Sequence, residues 1–437
     1  MEKLQQKLFS YKVIFLLLAV LFCTYFRLSL LFIYPLITIV VFYLFNWKLS
    51  RNAVWIFGIL LICWLLSFRH GLYLKYNIVS FYYYLPFLLL LLANPHPEKE
   101  HPNFFKLLMN ALTAIVIIND IPGIIQYWMY PNDDSFVGIY GIFTVSQNGL
   151  SLLNAILFFY YLAKYQDNKI HINLVLLLFF LVCCVLGFYG AGQMVLIVSI
   201  ILTFLKIKGK NILQLVAVSI VALSIMVVLM KLISPNTLDY NINIIRLFLD
   251  PSAPGAPRKL TAFQNYFISY PSHFDDFLFG SGPGTFNSRS AFMVGSPTYF
   301  NFDFIKSDTQ PFYFKNYAYP LWNYSNTGPY DGFMNQPFSS ILTLLGEYGL
   351  IFTSLILLVI SHRFIYYSRM DSKLIKHAGV TVETKMYKFC SIFAVLLVII
   401  DNYIEYPEII ALLLIITKLS RQQLNKISIF NENKPEI

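Results

Sequence analysis

The chain has 437 residues, of which 57% are hydrophobic and only 12% are charged, with a formal net charge of +10. Its mean hydropathy of +0.62 excludes an ordinary soluble globular domain. The positive charge does not indicate a nucleic-acid partner, because lysines and arginines punctuate apolar runs instead of clustering on one polar face. All five cysteines fall inside apolar runs without a C-x-x-C pair, so they predict neither a metal site nor a disulfide.

Apolar runs follow one another along the chain. No A-x-A-like cleavage site follows the first run, so we interpret it as an uncleaved helix with the N-terminus in the cytoplasm. Charges, Pro, Gly or Asn bound the runs, which lie at 11–26, 28–46, 53–68, 77–93, 107–127, 149–163, 171–187, 191–205, 211–233, 337–361, 387–402 and 407–419. The sequence therefore predicts an all-α polytopic membrane protein with about 12 transmembrane helices.

The basic residues predict the topology. With the N-terminus inside, most lysines and arginines fall in cytoplasmic segments, including the tract from Arg363 to Lys388. The short external segments would hold only four cations: Arg27, Arg69, Lys75 and Lys231. This bias favours twelve crossings with both termini cytoplasmic.

Two parts of the chain allow alternative interpretations. Residues 171–205 are almost continuously apolar, but Gly187, Gly190 and Gly192 interrupt them, and a single crossing would place the cations at 206–210 outside. We therefore predict two short helices joined by a tight turn. The last two runs are short and form either two crossings or a re-entrant pair, and both arrangements keep the C-terminus inside.

A connection of roughly a hundred residues separates the ninth and tenth runs. It divides the chain into transmembrane helices 1–9 at 1–233, a large external loop at 234–336, and helices 10–12 with a cytoplasmic tail at 337–437. Long connections in compact proteins usually carry function, so the site is expected in this loop.

The loop begins with cations near amphipathic stretches, namely Arg246, Arg258 and Lys259. Arginine forks at a membrane surface suit bidentate binding of a phosphate or diphosphate, although generic interfacial cations have the same appearance. Next comes a turn with Gly280, Gly282 and Gly284, which permits a tight backbone but is not the G-x-G-x-x-G of a nucleotide fold.

An aromatic tract follows, from Tyr299 to Tyr330, and includes Tyr319 and Trp322. Aromatic rings with polar tips suit sugar faces, and the same composition also suits packing against the membrane domain.

Ionisable residues in or near apolar runs are functional candidates, because charge is costly inside a membrane. Glu347 lies about ten residues inside its run and is the strongest candidate for a buried partner of an arginine. Asp120, Asp401 and Glu405 are also compatible with the membrane interface. Two weaker candidates, Arg69 and His70, end the third run.

These features together resemble the bacterial O-antigen polymerase and O-antigen ligase superfamily. The resemblance covers the whole hydropathy profile and is most specific from Arg258 through the G-x-G-x-G-x-F turn ending at Phe286 to the E-x-G-L stretch of Glu347, Gly349 and Leu350. A second segment, entering the sixth run, also matches, through four residues: Gly141, Phe143, Asn148 and Gly149. The resemblance implies a GT-C-like fold in the bacterial cytoplasmic (inner) membrane.

The resemblance also implies an activity. The donor would be an undecaprenyl-diphosphate-linked glycan, and a hydroxyl of a second lipid-linked unit would attack it without metal or other cofactor and with inversion of the anomeric carbon. Ligases usually carry a His-Asn pair where this chain has Phe338 and Ser339, which favours the polymerase branch and leaves the general base unassigned. The ligase, and in another class a lipid-linked glycan transporter or flippase, remain alternatives. A chain-length regulator and a flippase of the same pathway are expected partners.

Residue roles follow from the resemblance. The catalytic candidates are Arg258, Glu347 and Arg246. The substrate-binding candidates are Lys259, Arg289, His273, Tyr319, Trp322 and the glycines Gly280, Gly282 and Gly284. Six residues remain open as the base: His273, Asp275, Asp276, Asp303, Asp308 and Asp331.

Cysteine-accessibility labelling tests the topology. Cysteines introduced as Ser307→Cys and Asn326→Cys should react with an impermeant maleimide from outside, whereas Ser372→Cys should react only from the cytoplasm, because loop and basic tract lie on opposite sides. Labelling of positions 307 and 372 from the same side would reject the twelve-helix arrangement.

Overall fold

The protein is mostly helical in a computed structural model. The structure describes residues 27–44, 47–50, 52–94, 104–130, 135–139, 147–187, 189–204, 258–297, 303–322, 337–378, 381–405 and 407–432. It also describes residues 11, 224, 227, 228, 231, 239, 242, 243, 246 and 299.

Seven helices are described in full before the long connection. They are α1 Arg27–Leu44, α2 Asn52–Ser67, α3 Leu74–Leu92, α4 Phe104–Met129, α5 Gln147–Asp167, α6 His171–Leu186 and α7 Gly190–Phe204. A 3-10 turn, Phe68–His70, extends α2. Two short antiparallel strands, β1 Lys48–Leu49 and β2 Ala93–Asn94, pair before α2 and after α3.

In the described part of the loop there are three shorter helices, and three longer helices follow it. The loop helices are α8 Arg258–Ser269, α9 Phe274–Phe279 and α10 Arg289–Gly295, and the last three are α11 Ser340–Ala378, α12 Val382–Ile400 and α13 Pro407–Glu432. Single turns lie at Asp303–Ile305, Phe314–Ala318, Tyr319–Leu321 and Tyr403–Glu405.

Four described segments are long and apolar enough to cross a membrane: Ala53–His70, Leu74–Leu92, Phe104–Met129 and Ser340–Val359. Ten of the twelve predicted runs coincide with described helices, and the runs at 11–26 and 211–233 lie largely outside the described residues. The predicted break near Gly187 is confirmed, because α6 ends at Leu186 and α7 begins at Gly190.

The helices share one apolar core. Phe159 of α5 stacks on Phe389 of α12 with ring centroids 3.9 Å apart. The buried Lys418 ammonium of α13 donates to the carbonyls of Leu91 and Ala93, so it satisfies peptide groups where α3 passes into β2. Apolar side chains on most faces of these helices suit burial against neighbours and against lipid.

The loop segment 258–322 packs on one end of this bundle, which we call the loop-side end. Helix α8 is amphipathic: Ala262 and Tyr266 are buried at helical spacing, while Phe267 and Ile268 are exposed. The turns at 314–321 run antiparallel to α8, since Asn265 donates to the Tyr317 carbonyl and Arg258 to the Leu321 carbonyl.

Helix α11 is kinked where it meets the glycine turn. Gly349 has φ +76° inside the helix, and a Cβ there would lie 2.3 Å from the Leu278 carbonyl oxygen. Gly280 approaches from the other side, where a Cβ would lie 2.3 Å from the Glu347 carbonyl oxygen. The close approach lets Ser281 donate to the Gly346 carbonyl and Gly282 to that of Glu347. Both contacts require glycine on steric grounds.

The kink predicts opposite effects for two Gly→Ala variants. Gly349→Ala should lower the thermal midpoint sharply, because a Cβ at positive φ costs about 1–2 kcal/mol before the backbone clash is added. Gly58→Ala in α2 is the matched control, since its Cβ would meet nothing within 4 Å, and it should leave the midpoint unchanged or raised. Equal midpoints for the two variants, measured in detergent, would contradict the kink.

Candidate functional site

Glu347 is fully buried and binds the backbone of the glycine turn. Its Oε2 accepts a hydrogen bond from the Gly284 amide at 2.6 Å. Its Oε1 accepts from the amides of Phe286 at 3.2 Å and Ser288 at 3.1 Å. Among the described residues, the partners of Glu347 are therefore backbone amides and not the arginine that the sequence predicted. Three amides that donate to one carboxylate stabilise the negative charge of this buried group.

Glu405 continues the same arrangement from the turn between α12 and α13. It is 2% exposed, and its carboxylate accepts from the Arg289 amide at 2.6 Å and from the amide and hydroxyl of Ser290 at 3.2 and 2.8 Å. The Asn402 side-chain amide donates to it as well. Ser288 caps α10 by accepting from the Ala291 amide. Glu405 is therefore buried, with its carboxylate satisfied by the start of α10 and by Asn402.

The glycine turn is engaged inside the protein. The Gly280 amide donates to the Asp276 carbonyl, that of Gly282 to the Glu347 carbonyl, and that of Gly284 to the Glu347 carboxylate. These three residues have positive φ and are buried. The predicted role of the turn in substrate binding finds no support in this geometry, because the amides that would hold a phosphate already have acceptors. The turn positions α9 and α10 instead.

Three predicted cations lie around the start of α8 and α10. Arg258 is half-buried and donates through Nη1 to the Leu321 carbonyl at 2.6 Å. Lys259 is buried beside Asp401, 3.2 Å away, and donates to the Ile400 carbonyl at the end of α12. The Arg289 guanidinium carbon lies 5.3 Å from the centre of the Phe338 ring. The structure thus brings Lys259 and Arg289 to the end of the bundle where α11 begins and α12 ends.

Aromatic side chains accompany these cations. Trp322 is half-buried and contacts Phe338 and Tyr299, with ring centroids 5.8 and 5.1 Å away. Tyr319 is also half-buried and packs on Phe314 at 5.6 Å. The predicted aromatic tract therefore packs largely on itself, while Tyr319 and Trp322 keep part of their surface accessible next to Arg258.

A second polar cluster lies at the opposite end of α8. Asp276, with a side chain 4% exposed, accepts from Arg69 and lies 2.6 Å from His70 Nε2. Its other oxygen accepts from the Tyr313 hydroxyl at 2.7 Å. Arg69 and His70 remain 28% and 31% exposed at the end of the candidate span that contains α2. Only Asp276 was among the open bases, and the partners of Arg69 and His70 were not predicted.

The electrostatics of this cluster favour an ionised Asp276. Burial raises the pKa of the Asp276 carboxyl, but hydrogen bonds from His70 and Tyr313 and the charges of His70 and Arg69 outweigh it, so the pKa falls below its ordinary 3.8. Burial and the neighbouring carboxylate raise the pKa of the Tyr313 phenol, which keeps it a donor. The stabilisation from Asp276 is fully present at neutral pH and is lost as pH falls through the lowered pKa.

The two groups of candidates are well separated. Helix α8 has twelve residues, so its ends lie about 16 Å apart at 1.5 Å per residue. Arg258 lies at one end, whereas Tyr270 follows the other end and packs against Tyr313, with ring centroids 4.3 Å apart. Sequence spacing alone gave no sign of this separation.

The remaining candidates are exposed, buried elsewhere or beyond the described residues. His273, Asp275, Asp303 and Asp308 are exposed. Arg246 is exposed as well, within a stretch of which only isolated residues are described, so its role stays a prediction. Gly141, Phe143 and Asp331 lie outside the described residues. Asp120 is fully buried in α4 and accepts from Asn154 of α5 at 3.3 Å.

No protein-family model and no curated protein sequence matches this chain. The resemblance to O-antigen polymerases and ligases therefore stays an expectation based on residues and hydropathy. Among the described residues, no group of three or more His, Cys, Asp or Glu side chains is arranged to hold a metal ion.

The carboxylate contacts predict large stability losses. Glu347→Gln and Glu405→Gln each place an amide NH₂ where the carboxylate accepted backbone N–H groups, and a buried donor left without an acceptor costs about 1–3 kcal/mol. Thermal unfolding in detergent should show both losses. Glu383→Gln, at the start of α12, is the control and should change stability by less than about 1 kcal/mol. Wild-type stability of both buried variants would refute the assigned contacts.

Proposed function

We propose that the protein is a metal-independent glycosyltransferase that polymerises undecaprenyl-diphosphate-linked oligosaccharide repeat units. It acts at the outer face of the bacterial cytoplasmic membrane and transfers the growing glycan to the next lipid-linked unit. The product is an O-antigen, a capsule or an exopolysaccharide. The proposal combines the family resemblance of the sequence with the arrangement of cations and aromatic rings at the loop-side end of the bundle.

The observation that carries the proposal is the position of Arg258. Its guanidinium lies at the start of an amphipathic helix, next to the half-buried Trp322, and only its Nη1 has an acceptor among the described residues. Nearby, Lys259 contacts the end of α12. The diphosphate of a lipid-linked glycan must lie at the membrane surface, because its prenyl chain is in the bilayer and its glycan is in water. An arginine fork suits a diphosphate through paired, charge-assisted hydrogen bonds.

The proposed reaction needs little chemistry from the protein. A diphosphate leaves readily once its charge is neutralised, and fixed cations can supply several kcal/mol of transition-state stabilisation. Holding two membrane-anchored substrates in line supplies a further part by proximity. The half-exposed rings of Tyr319 and Trp322 offer apolar faces to the sugars.

The start of α11 favours a polymerase over a ligase. Phe338 and Ser339 occupy the position where ligases usually carry a His-Asn pair, and both side chains are fully buried. Phe338 packs against Phe292 with ring centroids 5.0 Å apart. Because Phe338 is a packing residue, the general base of the proposed reaction has to come from another position in the chain.

Arg258 variants test the proposal. In a polymerisation assay with purified protein and lipid-linked repeat units, Arg258→Ala should lose about a hundredfold in rate, since one such contact is worth on the order of 3 kcal/mol. Arg258→Lys should retain part of the activity, because the ammonium can still donate to the Leu321 carbonyl and keeps the charge but lacks the planar fork. Unfolding midpoints of the variants separate lost binding from lost folding.

Lys315→Ala is the matched control, because it removes an exposed cation from the same segment and should leave the rate unchanged. Chelator in every assay probes the metal-free mechanism. A wild-type rate in Arg258→Ala would reject the assignment of Arg258, and loss of wild-type activity on chelation would reject a metal-independent reaction.

A further inference from the structure

His70 presents a half-exposed imidazole whose orientation is set by a buried carboxylate. Its Nε2 lies 2.6 Å from Asp276 Oδ1, with 31% of the histidine side chain exposed and 4% of the aspartate. Asp276 is held from its other oxygen by the Tyr313 hydroxyl. A histidine oriented by a carboxylate while one face stays accessible is the arrangement that general-base catalysis uses.

The short contact decides which ring nitrogen carries the proton. A separation of 2.6 Å between nitrogen and an ionised carboxylate requires a hydrogen between them, so we assign a proton to Nε2. The Arg69 Nε lies 3.0 Å from the same Nε2, but it cannot donate to a nitrogen that already carries a proton. In the neutral imidazole the lone pair is then on Nδ1, for which the described residues provide no hydrogen-bond donor.

The charged and titratable groups around His70 come from three elements. Arg69 precedes it in the same turn, Asp276 belongs to α9, and Tyr313 faces the imidazole edge-on with ring centroids 6.3 Å apart. His273 lies beyond Tyr313, also 6.3 Å from that ring. The exposed face of the imidazole thus lies beside one cation and an aromatic ring, which suits a sugar hydroxyl next to a departing anion.

We propose that His70 is the general base of the glycosyl transfer and that Asp276 is its positioning residue; this inference rests on the proposed function. The acceptor sugar hydroxyl oxygen forms a bond to the anomeric carbon of the donor. Its proton passes to Nδ1 of His70, and the bond from the anomeric carbon to the diphosphate oxygen breaks with its electron pair remaining on the diphosphate. The imidazolium later releases the proton to water.

The test measures polymerisation by the full-length protein with purified lipid-linked repeat units, as kcat and KM across pH. Wild-type kcat should fall at acid pH, because a protonated imidazole cannot accept a proton. His70→Gln keeps an N–H for Asp276 but cannot act as a base, so it should lose roughly a hundredfold or more in kcat with little change in KM. Its residual rate should lack the acid limb.

Asp276→Asn separates positioning from folding. It should lower kcat with little change in KM, because the imidazole loses the carboxylate that orients it toward the acceptor hydroxyl. A purely structural role would reduce the amount of folded protein and leave kcat per folded molecule unchanged. His171→Gln, at the exposed start of α6, is the control and should match wild type.

The outcomes distinguish the two levels of the argument. Wild-type kcat and an intact acid limb in His70→Gln overturn the assignment of His70 while the polymerase proposal stands. A folded wild-type protein that forms no polymer from the same substrates rejects the proposed function itself. Unfolding midpoints within a few degrees of wild type for His70→Gln ensure that lost activity reports chemistry.

Discussion

Two buried carboxylates hold the loop segment against the helix bundle. Glu347 comes from α11 and Glu405 from the turn before α13. Together they accept hydrogen bonds from five backbone amides between residues 284 and 290. A carboxylate without partners in such a position would cost several kcal/mol, and so would the unpaired amides. Each group satisfies the other, so the segment 280–295 can be buried although its sequence is largely polar or small.

This attachment places α8 across the loop-side end of the bundle with two chemically different ends. One end carries Arg258 and Lys259 next to the end of α12, and the other leads to Asp276, which holds Arg69 and His70 at the end of α2. In the proposed reaction, proximity of two lipid-anchored substrates would supply part of the rate, and the two ends of α8 are our candidates for holding them.

Much of the helical framework could be predicted from the sequence, because lipid requires long apolar segments and glycine breaks them, as at Gly187. The site was predicted less well. Glu347 was expected to meet an arginine, but its partners are backbone amides whose position depends on the loop fold. The pairing of His70 with Asp276 spans 206 residues, and no periodic pattern links them. The isolated Gly349 inside an apolar run was the available signal for the kink.

The surface glycan of a strain that lacks this protein tests the polymerase assignment most directly. The account predicts loss of the long-chain ladder, with a single repeat unit still attached to its final acceptor, because initiation and ligation continue without chain extension. Complete loss of attached glycan, with lipid-linked polymer accumulating in the membrane, would contradict it and indicate a ligase.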